Sequence, residues 1–97
     1  MNKLVIVVYN EALDDEVMDA LKQCSVNSYT KINGVFGKGS HSGAHLGNDI
    51  WPGRNHLLQI VCDDKPAKEL LACVKELRKR LGLEGIKAFL LPVEELT

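Results

Sequence analysis

The sequence is poor in cysteine, in excess charge and in long apolar runs, and each shortage excludes something. Its three cysteines, Cys24, Cys62 and Cys73, are odd in number, widely spaced and form no CxxC pair. That pattern argues against a disulfide framework and against a thiolate zinc cluster. Each lies within an apolar pattern, so the three read as buried thiols acting as small hydrophobes. The formal net charge is only -1, which provides no broad attraction for nucleic acid or an anionic membrane. Arg78, Lys79 and Arg80 do cluster, but late in an expected helix, where cations complement the negative end of its dipole. They read as a solvated face. The opening run from Leu4 to Val8 follows a single lysine and lacks a small-residue cleavage pattern. It is too short for a signal peptide or a membrane span, so a cytoplasmic protein without membrane insertion is expected. No Ser-His-Asp set, deeply placed acid pair or nucleophile-base motif can be assembled, and the chain is not expected to be an enzyme.

What is present is enough for one domain, 1–97, with one core. Lys3 to Tyr9 is a nearly continuous β-branched run, the pattern of a central strand, β1. Asp14 or Asp15 can cap a helix, α1, that runs to about Cys24 with Leu13, Val17, Ala20, Leu21 and Cys24 on one face. Ser28 to Phe36 reads as β2, with Gly34 a candidate bulge. Asn55 to Cys62 reads as β3. Asp63-Asp64-Lys65-Pro66 starts a second helix, α2, since proline is tolerated in the first turn. Its stripe is Ala67, Leu70, Leu71, Val74, Leu77 and Leu81, and Gly82 closes it. Ile86 to Leu91 is β4, ended by Pro92. The order βαββαβ predicts an α+β, ferredoxin-like fold: an antiparallel sheet with both helices on one face. Right-handed crossovers place β1 and β3 in the centre. The face without helices is too apolar to be fully wet, which calls for a closed homo-oligomer.

Between β2 and β3 lies far more chain than a hairpin needs. Hairpin loops take about two to five residues, and longer structureless loops are usually functional or disordered. This 37–53 loop, with Phe36 at its entrance, holds five of the eight glycines, two of the three histidines and the only tryptophan. Backbone N–H groups of glycine turns can cradle an anion with a lysine as countercharge. Gly37, Lys38 and Gly39, facing Gly85 and Lys87 of a neighbouring subunit, could do this. Serving turns and a mobile loop is the other reading of the same glycines. His41 and His45 are spaced to chelate a transition metal if the loop forms a helical turn, with Asp49 as a third ligand and His56 just beyond. Solvated loop histidines are the alternative. Trp51, before Pro52-Gly53, either anchors a partner or pins the exit of the loop.

The βαββαβ order, the long loop entered through Phe36-Gly37-Lys38-Gly39, and the late Gly82-Leu83-Glu84-Gly85-Ile86-Lys87 turn together resemble the P-II signalling family over nearly the whole chain. That resemblance implies a homotrimer that binds ATP, ADP or AMP in clefts between subunits. It also implies a loop that grips a target protein such as a membrane transporter, here with Ser40, His41, His45 and Trp51 exposed for contact. The family's aromatic-Gly-Arg-Gln entrance is matched at Phe36 and Gly37, with charge kept at Lys38 and the amide lost at Gly39. Its Gly-Asp-Gly-Lys turn is approximated by Glu84, Gly85 and Lys87, with Ile86 altering the spacing. No tyrosine stands between Gly37 and Gly53, and no counterpart of the family's basic C-terminal extension is found up to Thr97. A metal-binding protein similar to the CutA class, with His41 and His45 as ligands, is the alternative.

Overall fold

Val5, Val7 and Tyr9 alternate with Leu4, Ile6 and Val8, and this two-residue period sends one set into a core while the other points away from it. The computed structural model describes residues 1–37, 54–82 and 85–97. The elements are β1 (Asn2–Asn10), a 3-10 turn (Glu11–Leu13), α1 (Asp14–Gln23), β2 (Thr30–Phe36), β3 (Arg54–Asp63), α2 (Asp64–Leu81) and β4 (Ile86–Pro92). They build an α+β, ferredoxin-like fold whose sheet has the order β2-β3-β1-β4, with every neighbouring pair antiparallel. The central positions of β1 and β3 are as the crossovers predict.

Both helices cover the same face. Val17 and Leu21 of α1 and Ala67, Leu70, Val74 and Leu77 of α2 meet Val5, Val7, Tyr9, Leu58, Ile60 and Ile86 in a single buried cluster. The opposite face carries Leu4, Ile6 and Val8 on β1, Leu57 and Val61 on β3, and Phe89 and Leu91 on β4. In the single chain Val61 is 45% exposed and Phe89 47%, so the face is open and strongly apolar.

Three local details depart from the sequence reading or sharpen it. Asp14 does not cap α1: Leu13 occupies the cap position without a side-chain bond, and Asn10 instead caps the 3-10 turn through Oδ1, which accepts from the Ala12 N–H at 2.9 Å. Asp63 does hold the cap position of α2, but its side chain makes no capping bond, and Asp64 pairs with Lys68 at 3.2 Å. Gly34 sits at φ 70°, within the register shift between Ile32 and Val35, and is the bulge expected there.

The cysteines also differ from expectation. Cys24 and Cys73 are bonded to each other, while Cys62 is free and half-buried. They lie 49 residues apart, but α1 and α2 run side by side on the sheet and bring their Cα atoms to 6.8 Å. Cys24 is exposed rather than buried because it follows the last residue of α1. The chain leaves that helix through Ser25, a non-glycine residue in the left-handed region at φ 64°. The Val26 N–H bonds the Leu21 carbonyl at 3.0 Å and the Ser25 N–H bonds the Lys22 carbonyl at 3.1 Å, the paired closure that satisfies the last carbonyls of a helix.

Freed from capping, Asp14 ties α1 to the sheet. The Tyr9 hydroxyl donates to Asp14 Oδ1 at 2.5 Å, and Lys31 Nζ on β2 donates to the same oxygen at 2.8 Å. The Lys31 bond, followed by the Tyr9 bond, holds the Asp14 carboxyl below its ordinary value, while burial and then Asp14 push the Tyr9 phenol far up. A depressed carboxylate pKa contributes stability that is full above the unfolded value of about 4 and is lost as pH falls through the folded value. Urea midpoints are therefore expected to hold from neutral pH to about pH 5 and to drop below about pH 4. Asp14→Asn should lower the neutral midpoint and flatten the acid limb; an unchanged acid limb would remove Asp14 as its source.

Candidate functional site

Four segments end together at one end of the sheet: Asn10 at the close of β1, Phe36-Gly37 at the close of β2, Arg54-Asn55 at the start of β3, and Gly85-Ile86-Lys87 at the start of β4. Register fixes their order. Phe36 stands opposite Arg54, Asn10 opposite Asn55, Tyr9 opposite Ile86, and Val8 opposite Lys87. The Asn10 N–H donates to the Gly85 carbonyl at 2.9 Å and fastens the turn before β4 to the central strand.

Both glycines of this end are held by close approaches. A Cβ on Gly85 would lie 2.6 Å from Leu13 Cδ1, and one on Gly37 would lie 3.2 Å from Asn55 Nδ2. A side chain at Gly85 would have to displace Leu13, which packs against the core from the 3-10 turn. Lys87 projects on the face without helices, with Nζ 5.6 Å from the centroid of the Phe89 ring, a cation–π arrangement that steadies an exposed ammonium. Arg54 is a second exposed cation at the same end. Exposed backbone and cations of this kind suit an anion such as a phosphate.

The structure does not gather the expected ligand-binding residues of one chain at one point. Gly37 ends β2 at one edge of the sheet and Gly85 precedes β4 at the other. Three strand-to-strand steps of about 4.8 Å separate them by roughly 14 Å, too far for one phosphate to touch both. Lys38, Gly39, Ser40, His41, His45, Asp49 and Trp51, and also Glu84, lie outside the described residues.

His56, suggested as an outlying metal ligand, points toward the core side, with its ring edge-on to Tyr9 at 5.6 Å and 82°. Its Nδ1 is buried and, among the described residues, has no hydrogen-bond partner. No cluster of three or more His, Cys, Asp or Glu side chains among the described residues is placed to hold a metal ion. The metal reading thus draws no support from the described residues. Asn10, Leu13, Arg54 and Asn55 do not stand out in the sequence. Strand register brings Asn10, Arg54 and Asn55 to this end of the sheet, and the 3-10 turn after β1 sets Leu13 against Gly85.

Comparison with known proteins bears on the fold and the family. A profile of the family described as Nitrogen regulatory protein P-II matches residues 1–97. No curated protein matches. Among solved structures, a PII-like signaling protein from Thermus thermophilus is 22% identical with a TM-score of 0.63, covering 95% of this chain and 86% of that one. CPII from Thiomonas intermedia, bound to ADP, AMP and acetate, is 18% identical with a TM-score of 0.70, covering 97% and 89%. The same protein bound to ADP and bicarbonate is 17% identical with a TM-score of 0.63, again covering 97% and 89%. At such identities the structures speak for the fold, while the profile covers the whole sequence: this chain belongs to the P-II family of nitrogen regulatory proteins.

Proposed function

We propose that the protein is a cytoplasmic regulatory module rather than an enzyme. It assembles as a homotrimer, takes an adenine nucleotide (ATP, ADP or AMP) in the clefts between subunits, and uses its 37–53 loop to engage a target protein, of which a membrane transporter is an example. The observation that carries this reading is the placement of Gly37 and of Gly85 with Lys87 at one end of the sheet but on opposite edges. A rotational assembly brings the β2 edge of one copy toward the β4 edge of the next, so a site divided within one chain becomes whole between two. The apolar open face supplies the surface for that assembly. The Thiomonas CPII structures, which hold ADP with AMP and acetate or with bicarbonate, support anionic ligands of this class.

The ligand must favour one state of the loop over another, since equal affinity for both would shift nothing. Among the described residues no helix is long and apolar enough to cross a membrane. Isothermal titration with ATP, ADP and AMP tests the nucleotide reading. Lys87→Ala is expected to weaken the best of the three about tenfold or more, the loss of one charge-assisted bond. No heat from the unaltered protein at millimolar nucleotide would overturn the reading.

A further inference from the structure

We propose that the Cys24–Cys73 bond is an exchange site for a protein dithiol reductant, with Cys24 as the sulfur attacked. Three observations support this, none of which depends on nucleotide binding. Cys24 is exposed and Cys73 half-buried, so an incoming thiolate meets Cys24 first. The pair opens onto a concavity of about 520 Å³ between the end of α1 and the middle of α2, floored by Ala20 and Leu77 and rimmed by Gln23, Glu76, Lys79 and Arg80. This is room for a partner's approach; Lys79 is paired with Glu76 at 3.0 Å, and Arg80 leaves the rim one net positive charge, which lowers the cost of a thiolate there. Finally, the pair lies outside the core: Val17, Leu21, Val74 and Leu77 are 0 to 2% exposed beneath it, and neither Cys24 nor Cys73 belongs to the buried cluster.

The exchange proceeds in two balanced steps. One thiolate of the reductant attacks Cys24 Sγ, the Cys24–Cys73 bond breaks, and its electron pair leaves on Cys73 Sγ, which takes a proton. The second thiol of the reductant then attacks the mixed disulfide and releases Cys24 as a thiolate, which is protonated in turn. The reductant becomes a disulfide and this chain gains two hydrogens. Cys62 does not compete as a resolving thiol, because it lies on β3 and burial, with Asp63, pushes its thiol up.

Opening the bond frees the last turn of α1. That turn is then held by the backbone bonds of Cys24, Ser25 and Val26 to Ala20, Lys22 and Leu21, against the cost of a left-handed serine. The same helix begins beside Leu13, which packs at Gly85, so the exchange acts on an element that reaches the candidate site.

The test uses the oxidised, folded protein and a thioredoxin-type dithiol protein whose second cysteine is replaced by serine, so that the mixed disulfide is trapped. Mass spectrometry is expected to find one adduct, on Cys24, with Cys73 open to alkylation. With the intact reductant, the Cys24, Ser25 and Val26 amides should exchange about tenfold faster than in the oxidised protein, while those of Val5, Val7 and Leu58 stay protected. Cys24→Ser should form no adduct at Cys73. An adduct on Cys73, reduction only after unfolding, or unchanged amide exchange at α1 after reduction would each overturn the proposal.

Discussion

Ile6→Lys is expected to yield a folded monomer that no longer binds nucleotide. Ile6 is central on the open face: it belongs to the inner strand β1 and stands between Gln59 of β3 and Phe89 of β4. A lysine there points away from the core formed by Val5 and Val7, so the chain keeps its own packing. In an assembly built on this face, the same lysine is buried among apolar side chains with no countercharge, at a cost of roughly several kcal/mol per subunit. Sedimentation should therefore show an assembled unaltered protein and a variant with the mass of a single chain. Titration should lose the nucleotide heat at the same time, since the two halves of the site lie on different copies. An unaltered protein that sediments as a monomer would refute the assembly. A monomeric variant that still binds nucleotide would refute only the shared site.

The second large effect is thermal. The Cys24–Cys73 bond closes a loop across 49 residues, and removing such a constraint releases chain entropy worth up to about 4 kcal/mol in the unfolded state. Disulfides often deliver less than this, so about 2 kcal/mol is a fair lower figure, and in a domain of this size it corresponds to a fall in Tm on the order of 10 °C. Calorimetry of the oxidised protein with and without reductant should show that fall. The double variant Cys24→Ser with Cys73→Ser should melt near the reduced protein and ignore reductant. Equal melting temperatures for oxidised and reduced protein would mean that the bond adds nothing to the native state.

Much of this fold is legible in the residues, and the limits are physical. β1 reads as central because Leu4 to Val8 offer no wet face, and it lies between β3 and β4. The stripes of α1 and α2 name the helical half of the core, since burial and helical period agree there. The role of Asp14 is hidden from local spacing, which shows an acid at a helix start but cannot show Tyr9 and Lys31 arriving from two strands. The pairing of Cys24 with Cys73 is hidden for the same reason: only the side-by-side packing of α1 and α2 makes neighbours of them. Gly37 and Gly85 are legible as turn glycines, but their separation depends on the strand order. Lys38, His41, His45 and Trp51 lie outside the described residues, so their roles rest on sequence alone.

The bulge at Gly34 has a further consequence for behaviour at high concentration. β2 is an edge strand, and an uninterrupted edge presents a row of unpaired N–H and C=O groups that can template another chain. Gly34 breaks that row in mid-strand, and Pro92, which has no N–H to offer, closes β4 at the other edge. Strand-by-strand growth into fibres is thus obstructed at both margins, and concentrated solutions should remain clear where a Gly34 deletion that restores regular pairing would cloud.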